Sequence, residues 1–153
     1  GLNMWHAAWI ARTDAARLRR ELDALQRAGI SVLRIVALSE GEDDAPLQTH
    51  PTLQPRAGDF DEPMAVALDL VLSEMSQRGM RAILTLNNMW SWSGGFAMYL
   101  VWANGQTWRD IPYPSSHMRE YWDTRPAGLR PQRVDADWHE YQTWASTFYS
   151  NRR

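Results

Sequence analysis

The chain contains no cysteine and no lysine. Without cysteine there are no disulfides and no thiolate metal ligands, which leaves the compartment open, since a secreted domain of this size can be cysteine-free. Without lysine, all sixteen basic residues are arginine, spread along the chain against eighteen acidic ones. No basic stripe forms, so nucleic acid is not an expected partner. Long apolar runs are missing too: none approaches the ~20 residues that a bilayer crossing requires, and no membrane association is expected. No basic segment leads into a small-residue cleavage site, so no secretory leader is expected within these residues. The histidines His6, His50, His117 and His139 stand far apart with no H-E-x-x-H, so neither a metal nor a cofactor is expected. No G-x-S-x-G elbow is present, which leaves serine acyl transfer without support. No G-x-G-x-x-G or P-loop follows a predicted strand, which argues against a nucleotide-binding sheet.

What the chain has in excess is tryptophan. Nine occur in 153 residues, five of them between Trp90 and Trp122 in a stretch rich in Ser, Gly and Pro. A loop region cannot easily bury that many indoles, so some are expected to face a ligand. The length suits one domain.

Hydrophobic spacing gives the organisation. Gly1 to Trp5 reads as the end of a short strand. Thr13 is placed to cap a helix with Ala15, Leu18, Leu22 and Leu25 on one face, stopped at Gly29. Ile30 to Leu38 is a near-continuous apolar strand, expected to be buried on both faces. Glu42 to Asp59, with three prolines, reads as a loop. Asp61 then caps a second helix, with Pro63 in its first turn and Met64, Leu68, Val71, Leu72 and Met75 as its stripe. Met80 to Leu86 follows as a third strand, again expected to be covered on both faces. The unit helix, glycine, strand therefore occurs twice, fifty residues apart. Phe96 to Trp102 predicts a short helix, Gly105 to Arg133 an extended loop, and Asp135 begins a helix through Trp138, Tyr141, Trp144, Ala145 and Phe148. This order implies parallel strands, either a doubly wound sheet or part of a (β/α)8 barrel; the missing nucleotide motifs favour the barrel.

In either fold, ligand groups come from loops after the C-terminal ends of strands. Trp5, Glu40 and the segment Asn87 to Gly95 occupy those positions. Trp5, Trp90 and Trp92 suit stacking on sugar rings, or serve as loop packing. Asn87 and Asn88 suit hydrogen bonds to hydroxyls, or cap the strand end. Arg34, inside Val32-Leu33-Arg34-Ile35-Val36, needs a carboxylate partner, either in a catalytic cleft or as a structural ion pair. Glu40 is either a polar ligand contact or a solvated residue of an acidic loop. A retaining glycosidase needs two carboxyl groups roughly 5 to 5.5 Å apart, and no credible pair is visible. Asp61-Glu62-Pro63 superficially matches the Asn-Glu-Pro of many glycosidases, but Asp61 is better explained as a helix cap.

Several stretches taken together carry a resemblance: Gly1-Leu2-Asn3-Met4-Trp5, Leu33-Arg34-Ile35, Ser39-Glu40-Gly41, Leu86-Asn87-Asn88-Met89-Trp90-Ser91-Trp92-Ser93-Gly94-Gly95, Ile111-Pro112-Tyr113-Pro114 and Phe148-Tyr149-Ser150-Asn151. The chain resembles the N-terminal part of endo-β-1,4-mannanases of glycoside hydrolase family 5, most specifically in Asn-Asn-x-Trp-x-Trp-Ser-Gly-Gly. The resemblance implies an α/β fold made of about three βα units of a (β/α)8 TIM barrel, with residues 1–153 as an incomplete catalytic domain holding strands and helices 1 to 3. It implies an extracellular retaining enzyme whose partner is a β-mannan. Arg34 matches the strand-two arginine that supports the nucleophile, and Trp5 and Trp90 match aromatic substrate contacts. The family's acid/base glutamate follows strand four and its nucleophile strand seven, so the segment is expected to lack both and to be inactive alone. The alternative is a stand-alone, non-catalytic carbohydrate-binding protein using Trp5, Trp90 and Trp92.

Overall fold

The computed structural model describes residues 1–42, 44–45, 49–113 and 137–150. It divides into two compact units: Gly1–Ser39 with Thr49–Asn87, and Glu40–Gln48 with Asn88–Arg153.

The first unit is a three-stranded parallel sheet with helices. β1 (Leu2–Asn3), β2 (Val32–Val36) and β3 (Arg81–Thr85) lie in that order, with Leu2 opposite Leu33 and Arg34 opposite both Asn3 and Ile83. Between β1 and β2 the chain forms two helices where one was expected. The first, α1 (Ala7–Thr13), is an alanine-rich segment too short to show periodicity; it ends at Thr13, whose hydroxyl donates to the Trp9 carbonyl at 2.8 Å. Thr13 is thereby occupied, and Asp14 caps α2 (Ala15–Arg27) instead, accepting the Arg17 N–H at 2.8 Å. α3 (Glu62–Gln77) starts as expected: Asp61 accepts the Met64 N–H at 2.8 Å and Pro63 sits in the first turn. Gly29 and Gly79 both take positive φ, 76° and 67°, where the chain turns from helix to strand.

Leu18, Leu22, Leu33, Ile35, Ala67, Val71 and Met75 form one buried cluster between these helices and the sheet. Each leucine fully removed from water contributes about 1.5–3 kcal/mol. The expectation that β2 and β3 are covered on both faces is corrected here. Alternation along β2 buries Leu33 and Ile35 but exposes Arg34, and the Arg34 partner Ile83 is 54% exposed. Helices cover one face of the sheet; the other is open at Arg34 and Ile83 and closed at Val36, which is buried, and among the described residues β3 is an edge. Polar stitching joins the helices: Glu74, almost fully buried, accepts from Arg19 at 2.6 Å and from Arg78 at 2.8 Å, and Arg78 also reaches Asp23 at 2.7 Å. Those two arginine hydrogen bonds hold the Glu74 carboxyl below the usual carboxylate range.

The second unit has no strand among its described residues. It contains α4 (Gly95–Ala103) and α5 (Trp138–Ser146), with single 3-10 turns at Ser91–Ser93, Trp108–Asp110 and Thr147–Tyr149. Asp137 caps α5 by accepting the Glu140 N–H at 2.7 Å, and the helix proper stops before Phe148, which the 3-10 turn carries. Its core is aromatic: Trp108, Tyr113 and Tyr141 are buried with Met98, Val101 and Ile111. The Trp108 indole N–H donates to Asp44 at 3.2 Å. Most of the loop expected between Gly105 and Arg133 lies outside the described residues, as does Asp135.

Candidate functional site

The sheet positions the first group of predicted residues. Because all three strands run the same way, Trp5, the β2 end and Asn87 leave the sheet at the same edge. Arg34 is exposed and lines a shallow depression with Asn3, Val32 and Ile83. Its guanidinium lies 4.7 Å from the ring centre of half-buried Trp5. No carboxylate pairs with Arg34 among the described residues; the indole face of Trp5 gives the exposed guanidinium a favourable contact there. Asn87 is half-buried, with its side-chain oxygen shielded and without a hydrogen-bond partner among the described residues.

In the second unit, Asn88 to Gly95 forms a closed loop. The Phe96 N–H donates to the Asn88 carbonyl at 3.1 Å, the Gly94 N–H donates to the Ser91 carbonyl at 3.1 Å, and the Asn88 side-chain amide donates to the Ser93 hydroxyl. Trp90 stands out from it at 53% exposure, braced edge-on by Trp138 with ring centres 5.0 Å apart. Trp92 is half-buried in the same loop. Gly94 and Gly95 are needed for close approach as well as for positive φ, 90° and 60°: a Cβ on Gly94 would overlap the Glu40 carbonyl oxygen, and one on Gly95 the Asn88 carbonyl oxygen.

Glu40 is not a solvated loop residue. It is fully buried, its Oε2 accepts the Gly95 N–H at 2.9 Å, and the Tyr99 phenol donates to the same carboxyl group. Burial pushes the Glu40 carboxyl up to about 7, against the opposing pull of those two donors. Burial and the nearby carboxylate together push the Tyr99 phenol up to about 12. Tyr141 is buried as well and donates to the Met89 carbonyl at 2.6 Å. Spacing marks Tyr141 only as a helix position and does not mark Tyr99 at all, because their hydrogen-bond partners lie in other loops.

The structure thus brings Trp5 and Arg34 together in one unit, and Glu40, Asn88, Trp90 and Trp92 in the other. The second unit presents an open indole at Trp90, a surface suited to stacking on a polyhydroxylated ligand, while the Glu40 carboxyl is closed off beneath the loop. No cluster of three or more His, Asp or Glu able to hold a metal occurs among the described residues.

Parallel strands joined by helices are the arrangement of the N-terminal part of a (β/α)8 barrel. Comparison with known proteins agrees. A family model described as glycoside hydrolase family 5 beta-mannosidase-like matches residues 1–153, and the chain belongs to that family. It is similar to a glycoside hydrolase family 5 mannosidase from Rhizomucor miehei, with 31% identity and a TM-score of 0.81 over 99% of this chain and 33% of that one. It is also 35% identical over 105 residues to mannan endo-1,4-beta-mannosidase 3 of Solanum lycopersicum, covering 67% of this chain and 24% of the relative. Mannan endo-1,4-beta-mannosidase 7 of Oryza sativa is 38% identical over 103 residues, 67% of this chain and 25% of its own length. The chain therefore spans about a quarter of the length of these plant relatives.

Proposed function

We propose that the chain is part of a retaining endo-β-1,4-mannanase that hydrolyses β-mannosidic bonds in mannans. In this reading the segment is an incomplete catalytic domain: it supplies sugar contacts, and the acid/base and nucleophile belong to later strands. Trp5, Trp90 and Trp92 stack on sugar rings, Asn87 and Asn88 hydrogen-bond hydroxyls, and Arg34 supports the nucleophile. Glu40, being buried, serves the substrate through the loop it touches. The whole enzyme acts outside the cell, where its polymer is found. No helix among the described residues is long and apolar enough to cross a membrane.

The observation that carries this reading is Trp90, a 53% exposed indole braced by a second indole on a loop closed by its own hydrogen bonds. An indole held open in this way offers a large, rigid face for stacking on a sugar ring. Affinity electrophoresis on galactomannan tests it. The full-length protein is expected to be retarded and to hydrolyse the polymer, and Trp90→Ala to lose about tenfold in affinity, about 1.4 kcal/mol. Equal retardation of wild type and Trp90→Ala would remove Trp90 from the site. The 153-residue chain alone is expected to show no turnover; binding by that chain with no turnover in any longer form would favour the non-catalytic binding protein.

A second reading has its own support. The Rhizomucor miehei structure, similar over nearly the whole chain, is described as a mannosidase, and the family model carries the same word. An exo-acting β-mannosidase would release single mannose units from the polymer, whereas the endo-acting enzyme releases a ladder of oligosaccharides. Chromatography of early digestion products separates the two.

A further inference from the structure

We propose that Glu40 is the positioning residue of the Asn88–Gly95 loop, clamping three consecutive residues at its base and so fixing where Asn88 and Trp90 stand toward a sugar. The proposal rests on the carbohydrate reading of that loop. The contacts fall in sequence order. The Glu40 N–H donates to the Ser93 carbonyl at 2.8 Å, the Glu40 carbonyl packs where a Gly94 side chain would stand, and the Glu40 carboxyl accepts the Gly95 N–H at 2.9 Å. The rest of the loop follows from those residues. Ser93 holds the Asn88 side chain, and the Trp90 carbonyl lies 3.3 Å from the Cβ position of Gly95. A shift at Ser93 to Gly95 therefore carries Asn88 and Trp90 with it.

Simple helix stability does not account for this arrangement. α4 begins at Gly95, and its cap Gly94 makes no side-chain hydrogen bond. A serine or aspartate beside the helix caps an N-terminus locally, worth about 1 kcal/mol and with no need to bury a carboxyl group. Here the acceptor instead comes from 55 residues away and is buried at a desolvation cost, with the Tyr99 phenol, one helical turn along α4, as its second donor. What the distant cap adds over a local one is a fixed location for the loop. At the opposite side, Tyr141 fixes Met89 in the same way.

The test uses the full-length protein labelled with 5-fluorotryptophan, the Trp90 fluorine resonance being assigned by its loss in Trp90→Phe. Glu40→Leu keeps the volume and removes the acceptor; Glu40→Gln keeps an acceptor oxygen for the Gly95 N–H. In Glu40→Leu the Trp90 resonance is expected to shift and broaden, and KM for manno-oligosaccharides to rise about tenfold with kcat within about twofold. Glu40→Gln is expected to return both readouts to within about threefold of wild type, and Tyr99→Phe to raise KM about threefold. A role in stability alone would lower Tm and leave KM and the Trp90 resonance in place; that result in folded Glu40→Leu overturns the proposal. Should Glu40→Leu not fold, Tyr99→Phe decides, and an unmoved Trp90 resonance with unchanged KM overturns it. If the wild-type protein turns over no mannan substrate, the functional reading fails while the fluorine resonance still tests the clamp.

Discussion

In the first unit the buried side chains include Leu18, Leu22, Leu33, Ile35, Val71 and Met75, while in the second they include Trp108, Tyr113 and Tyr141. Their polar groups differ in the same way. Glu74 in the first unit is paired with two arginines, whereas among the described residues Glu40 in the second meets a backbone N–H and a phenol. Aliphatic groups pack without direction, so a periodic stripe suffices to place them. Buried indoles and phenols each carry a polar atom that must find a partner, so their positions are set one hydrogen bond at a time. The sheet unit is a tolerant scaffold, and the loop unit is a set of specific contacts.

The largest effect that sharpens this contrast comes from the two cores. Trp108→Ala is expected to cost about 3–5 kcal/mol in urea unfolding of the full-length protein and Leu22→Ala about 2–5 kcal/mol. The volume-conserving changes separate them: Leu22→Met is expected to stay under about 1.5 kcal/mol, while Trp108→Phe adds the loss of the Asp44 hydrogen bond to its cavity. Equal tolerance of Leu22→Met and Trp108→Phe would break the comparison.

A glycine in each unit gives the next effect. Gly79 has φ +67° with nothing within 4 Å of its Cβ position, so Gly79→Ala is expected to cost only the left-handed backbone penalty, about 1–2 kcal/mol. Gly94 has φ +90° and backbone in the way, so Gly94→Ala is expected to cost at least about 3 kcal/mol and to move the Trp90 loop. Denaturant midpoints of the two variants measure the difference.

The smallest effect is the dependence on pH, where the two buried glutamates act in opposite senses. Glu40 holds its proton more tightly when folded, so its contribution to stability falls as pH rises from about 4.5 to about 7. Glu74 holds its proton less tightly when folded, so its contribution is present above about 4.5 and is lost as pH falls below that value. Thermal unfolding across pH 3 to 8 is expected to show Glu40→Gln removing the loss above pH 4.5 and Glu74→Gln removing the loss on the acid side. Parallel pH profiles for the two variants would contradict the assigned environments.

The same contrast explains what could be read without a structure. α3 and its Asp61 cap, the Gly29 and Gly79 turns and the parallel order of strands were legible because each rests on residues close in sequence. α1 was not, since seven residues give too few turns for periodicity, and it displaced the expected cap from Thr13 to Asp14. Two-sided burial of β3 was inferred from apolar content, which cannot report that helices cover only one face. Glu40 looked like surface because its neighbours are acidic; the glycine that leaves room for its carbonyl, Gly94, is 54 positions away and carries no side chain to betray the contact. The identity of Trp5 and Trp90 as aromatic candidates was visible, but the arginine over one and the second indole against the other were not.

The Glu40–Gly95 hydrogen bond also bears on the order in which the molecule assembles. It joins residues 55 positions apart, so the entropy of closing that loop must be met before the contact returns anything. α2 and α3 are local structures that can form early, whereas the Trp90 loop reaches its shape only when the distant Glu40 arrives. The Trp90 loop is thus expected to order after α2 and α3.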